Sequence, residues 1–332
     1  MRNFPVQYLD STILSRTQDN AKSNARAKQP RPWSKSCITR SSYHIYTLWL
    51  FTQSQIKDTI VPCALFGLFG ALSGPVLSFG SPKALNTIVH RLTLALCYAW
   101  LNALLFCLSN QIKPDSIKED AINKPWRPLP SGRCTPGQAN WLLLVTHVVT
   151  FSVGHIIGGL PQSMLLAFLT IWYNCWGGAE RPLERNLLNT FGFACFLSGA
   201  LDVTVGSEQS VWNQRAITWV CTAAALIGTT IQVQDFRDVI GDHARGRRTI
   251  LSAIGDAACR KTVALGVSFW SVSVPAYWES DSIGYLLPVS FGTCVVFRIL
   301  AWRDLSAEKL TYKLWSFWVM SFFPLPWLKA VK

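Results

Sequence analysis

From Cys134 to Ala179 the chain runs for 46 residues without a single Asp, Glu, Lys or Arg. One crossing of a bilayer's hydrocarbon core takes roughly 20 predominantly apolar residues, so this stretch is long enough for two. Gly158-Gly159-Leu160-Pro161 marks the break between them, because glycine and proline favour a turn there. Further uncharged runs cover Thr59–Pro82, Leu92–Ile112, Asn186–Leu201, Ala216–Gln234, Thr262–Trp278, Ser282–Phe297 and Leu314–Leu328, which brings the count to nine spans. Backbone polar groups must be satisfied inside lipid, and the runs far exceed the alternating segments of about ten residues that a barrel needs, so the spans are helices. Composition agrees. Only 15% of the 332 residues are charged, against about 25% in soluble domains. The expected fold is an all-α integral membrane protein. It comprises a bundle of about nine transmembrane helices over residues 46–332, behind a basic, disordered cytosolic tail over 1–45.

The net charge of +13 is not that of a nucleic-acid binder, because 15 Trp and 18 Phe accompany very few charges. Instead the cations are sorted by side. Of the 31 Lys and Arg, 26 fall before span one and after spans two, four, six and eight. Five (Lys83, Arg91, Arg215, Lys329 and Lys332) lie on the opposite side. The positive-inside rule makes the first side cytosolic. The first 57 residues are polar and basic, lack the apolar core of a signal peptide, and lead into a short interfacial helix near Tyr43–Gln53. An endoplasmic-reticulum location follows, with a mitochondrial inner-membrane location as the alternative, since the tail's composition also suits a transit peptide. Ten Cys are scattered singly, without zinc-like spacing.

Acidic residues are rare, so their clustering carries information. Asp115, Glu119 and Asp120 follow span two, and Asp235, Asp238 and Asp242 follow span six, on the same expected side. The second trio stands at i, i+3 and i+7, one stripe of a helix. Carboxylates so arranged repel one another unless a cation sits among them, and hard oxygen ligands suit Mg²⁺, which readily bridges to phosphates. Neighbouring Lys and Arg fit a diphosphate gripped from its other flank. Ordinary surface ion pairs would account for one cluster alone, less readily for two on one side. The aromatic residues of the spans, among them Trp100, Trp219, Trp270 and Trp278, read first as packing and interfacial belt.

These segments resemble the two aspartate-rich motifs of the UbiA superfamily of intramembrane prenyltransferases. Asn123-Lys124-Pro125-Trp126-Arg127-Pro128-Leu129-Pro130-Ser131-Gly132 is similar to the tail of the first motif. Aligned on it, Asp120 takes the motif's last aspartate, the middle one falls on Ser116 beside Asp115, and Asn110 stands two residues too far upstream. Asp238, Asp242 and Gly246-Arg247-Arg248-Thr249 resemble the second motif, with Arg for its Lys. The altered first motif looks most like fungal UbiA-type terpene cyclases. The resemblance implies a Mg²⁺-dependent enzyme that ionises a linear isoprenoid diphosphate, geranylgeranyl preferred to farnesyl. The allylic cation then cyclises in a secondary-metabolite pathway; transfer to an aromatic acceptor is the alternative. It also implies site residues. Asn110, Asp115, Glu119, Asp120, Asp235, Asp238 and Asp242 would hold metal, with Asp120, Asp238 and Asp242 catalytic. Lys124, Arg127, Arg247 and Arg248 would grip the diphosphate; Trp172, Tyr173 and Asn174 would bind substrate by their position, since span four ends there level with the acidic clusters.

Overall fold

The computed structural model describes residues 37–80, 85–206 and 210–332. It divides into a unit ending at Tyr46 and a unit from Thr47 to Lys332. Of the first, only the opening of helix α1 (Cys37–Thr52) is described. That helix starts earlier than the interfacial helix expected at Tyr43, so residues 37–45 are helical rather than disordered; the tail over 1–36 lies outside the described residues.

The second unit is helical throughout, with no strand among the described residues. After a π turn at Ile56–Ile60 come α2 (Val61–Leu72), α3 (Leu85–Gln111) and a short α4 (Pro114–Asn123). Next follow α5 (Pro136–Ile157), α6 (Leu160–Cys175), α7 (Pro182–Val205) and α8 (Gln214–Thr230). A second short helix, α9 (Val233–Arg245), is followed by α10 (Ile250–Ile254), α11 (Asp256–Tyr277), α12 (Ser282–Ala301), α13 (Leu305–Met320) and α14 (Leu325–Ala330). Each uncharged run overlaps one or two of these helices. The break expected at Gly158-Gly159 is a turn in which both residues hold positive φ, 104° and 84°, which a side chain would strain. Thr135 opens α5 with a capping box to Gln138.

Among the described residues, five segments have the length and hydropathy of a membrane span: Ser41–Leu72, Asn86–Gln111, Pro136–Ile157, Pro182–Val205 and Ser282–Ala301. The pair Gln214–Thr230 and Val233–His243, bent by 50°, makes a sixth if taken as one broken span. Aromatic residues fasten the core: Phe66 stacks on Trp219 at 5.7 Å, and Trp219 meets Trp278 edge-on at 5.4 Å. Trp100 and Trp270 spend their indole N–H groups on Thr52 and Thr229, as packing residues do.

Candidate active site

The two acidic segments meet at one end of the bundle. Proline at the first position starts α4, which carries Ser116, Glu119 and Asp120; the loop behind it carries Lys124 and Arg127. Helix α9 lies against α4 so closely that a Cβ on Gly241 would collide with the Asn123 amide. Its end is a Schellman closure. Gly246, at φ 71°, donates to the His243 carbonyl at 3.0 Å, and Arg247 N–H donates to the Asp242 carbonyl at 2.9 Å. The turn folds Arg247 back, so that its guanidinium donates to Asp242 at 3.0 Å and pairs with Glu119 at 3.3 Å.

A cleft with about 1290 Å³ of empty space, its open mouth included, lies between these elements. Its polarity changes along each wall. Reading inward from the acidic end, α7 presents Arg185, then Leu188 and Asn189, Gly192 and Phe193, and last Phe196. Helix α3 runs from Asn110 through Phe106 to Ala103, and α6 from Tyr173 through Thr170 to Leu166. At 1.5 Å per residue, Arg185 to Phe196 spans about 16 Å. The cleft thus has a charged mouth and an apolar arm.

At the mouth, cations and anions are paired. Arg127 donates from one nitrogen to both oxygens of Asp120 at 2.8 Å, and to Ser54 at 3.2 Å. Arg185 donates to Asp235 at 2.8 Å, both buried. Arg237 reaches Asp238 at 3.4 Å and Asp58 at 3.8 Å, and lies 3.5 Å over the Tyr312 ring. Lys124 also lines the cleft; burial, followed by the nearby Arg127, holds its ammonium down at about 8.

Not every expected site residue reaches this cleft. Asn110, Glu119, Asp120, Lys124, Arg127, Tyr173, Asp238 and Arg247 line it. Asp235 and Asp242 stand buried behind it, each anchoring an arginine that does. Asp115, one turn before Glu119, faces solvent and pairs with Lys118 at 3.3 Å. Arg248 is exposed, because the closure that turns Arg247 inward turns its neighbour out. Trp172 donates to Glu184, and Asn174 ties α6 to α3 through Ser109 at 3.2 Å; neither lines the cleft. Three charged wall residues, Asp58 in the π turn, Arg185 and Arg237, and the phenol of Tyr312 were not among the expected site residues. Asp58 and Arg185 each border an uncharged run, the signal that could have found those two.

Among the described residues no three His, Cys, Asp or Glu side chains converge into a metal cage. Yet Asp235 and Asp242 each keep Oδ2 buried without a hydrogen-bond partner. Oxygen donors stand on both sides of the mouth, Asn110, Glu119 and Asp120 facing Gln234 and Asp238. That donor set suits a hard cation which keeps waters and leans on substrate phosphates, as Mg²⁺ does.

Residues 60–322 match the UbiA prenyltransferase family. The chain is 29% identical to the fumagillin beta-trans-bergamotene synthase of Aspergillus fumigatus, over 84% of this chain and 91% of that one. It is 26% identical to the somaliensene A/B synthase of Streptomyces somaliensis, over 82% and 89%. It is 27% identical to a polyprenyl transferase of Hericium erinaceus, over 85% and 92%. In fold it is similar to a UbiA homologue from Archaeoglobus fulgidus solved with DMAPP and Mg²⁺, at a TM-score of 0.60 and 12% identity, covering 86% of this chain and 99% of that one.

Proposed function

The chain belongs to the UbiA prenyltransferase family, and from that premise we propose that it is a Mg²⁺-dependent membrane terpene cyclase acting on a linear isoprenoid diphosphate. Its kinship with enzymes acting on isoprenoid diphosphates makes it an enzyme of that kind; the cyclase reading rests on one observation in particular. The apolar arm is walled by Phe106, Leu169, Leu188, Phe193 and Phe196, and its polar wall groups beyond the mouth are uncharged. Such an arm can shield a hydrocarbon cation from water while offering it few nucleophiles besides its own double bonds.

At the mouth, Lys124, Arg127, Arg185, Arg237 and Arg247 supply the positive charge that receives the diphosphate. Asn110, Glu119, Asp120 and Asp238 would hold Mg²⁺, with Asp235 and Asp242 behind them; bound there, the metal supplies Lewis-acid charge stabilisation of the leaving diphosphate. The arginines have a second duty. With those carboxylates holding metal, Arg127 and Arg247 would be free to donate to phosphate oxygens, which a guanidinium can do in bidentate fashion. Tyr173, packed 6.0 Å from the Phe106 ring, stands where the mouth gives way to the arm.

The proposal extends to nine crossings. Glu119 and Arg247 pair at 3.3 Å, so the chain between them crosses the bilayer an even number of times. Three spans there qualify by length and hydropathy, counting the bent pair; α6 supplies the fourth. Arg260 of α11 donates to the Ile299 carbonyl of α12 at 2.7 Å, and Trp318 of α13 donates to Ser271 in the middle of α11 at 2.9 Å. Those contacts support crossings by α11, α12 and α13. The cation asymmetry supports a cytosolic mouth, and the membrane proposed is that of the endoplasmic reticulum.

The test uses membranes containing the protein, Mg²⁺ and each of geranyl, farnesyl and geranylgeranyl diphosphate without acceptor, followed by hydrocarbon analysis. Cyclic product from one diphosphate alone is expected. Turnover that begins only when a phenolic or quinone precursor is added would establish the second reading, an aromatic prenyltransferase, which the polyprenyl transferase relative favours.

A further inference from the structure

Gly192 lies in the interior of α7, where glycine costs helix stability relative to alanine and needs a reason. Neither usual reason applies. Its φ lies outside the positive range, so no turn requires it. Nor is it a point of tight helix contact. A Cβ there would meet only one Leu166 methyl carbon at 3.7 Å, ordinary van der Waals contact, whereas a Cβ on Gly199, two turns further along α7, would collide with the Tyr98 ring. Gly192 instead faces the apolar arm, flanked by Phe193 and Phe196 and opposite Leu166. The missing side chain is empty space in the arm's wall.

We infer that Gly192 sets how much hydrocarbon the arm accepts, so that the substrate is one of the longer isoprenoid diphosphates and position 192 is a determinant of chain-length specificity. This rests on the reading of the cleft as an isoprenoid diphosphate site. A second observation concerns the same arm. Thr170, 3% exposed, lines it from α6, and its hydroxyl has no hydrogen-bond partner. Thr190, Thr204, Thr222 and Thr230 bond the carbonyl four residues back, the usual resource of a hydroxyl in a helix. An unspent hydroxyl beside an unfilled wall position marks a cavity shaped for an occupant rather than a packing defect.

A graded series, Gly192→Ala, Gly192→Val and Gly192→Leu, tests the inference. Diphosphate release is measured for wild type and each variant with geranyl, farnesyl and geranylgeranyl diphosphate in parallel. The readout is the ratio of short-chain to long-chain rate within each preparation, which is independent of the fraction folded. The expected result is a ratio that rises along the series, by about tenfold or more at leucine, since a few methylenes in an apolar pocket are worth that much discrimination. A ratio that stays at the wild-type value in all three variants overturns the inference while leaving the diphosphate site standing. Wild-type protein that releases diphosphate from none of the three overturns both.

Discussion

Arg185 and Asp235 hold a guanidinium–carboxylate pair at 2.8 Å with side-chain exposures of 6% and 1%. Removing one partner leaves the other charge buried and uncompensated, at a cost of about 3–5 kcal/mol. Arg185→Leu and Asp235→Leu should therefore each lower the unfolding temperature in detergent steeply, and the double variant by less than the two together. Additive losses would show that the charges are satisfied elsewhere. Lys124 yields a prediction about pH. Its ammonium titrates at about 8, held down first by burial, so it is charged below that pH and neutral above. Affinity for a diphosphate is present on the acid side and weakens as pH rises through about 8; KM should climb there, and Lys124→Arg should flatten the climb. A KM that ignores pH in wild type would remove Lys124 from phosphate binding. Residues at this scale were legible in the sequence where chemistry is concentrated. Asp120, Lys124 and Arg127 share one short helix-and-loop segment, and Asp238, Asp242 and Arg247 share another. Asp58, Arg185 and Tyr312 were not, because each comes from a different part of the chain and none belongs to either acidic segment.

Helix α9 and its closure place five of the site's charges, Asp235, Arg237, Asp238, Asp242 and Arg247, and Gly246 is the hinge that places the last. A Cβ at Gly246 would meet nothing within 4 Å, so Gly246→Ala costs only the left-handed backbone, about 1 kcal/mol. The larger expected effect is on the arginine that follows. Melting temperature should fall a little and KM for the diphosphate should rise clearly, with Gly246→Asn, better suited to positive φ, lying nearer wild type. Alanine and asparagine variants with the same KM would show that the closure does not position Arg247. The eight uncharged runs could be read from the sequence, because lipid disfavours charge along a crossing, and the break in the longest came from its glycines and proline. The π turn that delivers Asp58 could not, since Lys57-Asp58 reads as the polar edge of a span and nothing local announces a helix of altered pitch. Arg248 and Asp115 show the converse. Motif position gives a residue's neighbours in sequence, whereas helix phase and a turn decide which neighbour faces the cleft.

In the whole molecule the site is electrically closed: Asp120, Asp235, Asp238 and Asp242 each have an arginine in contact. Metal alone would have to displace those arginines without giving them anything new to bind. Calorimetry in detergent should therefore show little saturable Mg²⁺ binding by itself, and strong binding when inorganic pyrophosphate is present; equal Mg²⁺ affinity in both conditions would contradict the exchange of partners. The same closure bears on the company the enzyme keeps. A protein immersed in phospholipid meets anionic headgroups in vast excess over any biosynthetic intermediate, and a mouth of unpaired arginines would be occupied by them permanently. Here each headgroup must outbid a carboxylate already in place, and a single phosphodiester charge is a weak competitor against a diphosphate carrying metal. The mouth thus rejects the solvent it lives in, and enriching the membrane in anionic lipid should leave KM for the true substrate unchanged.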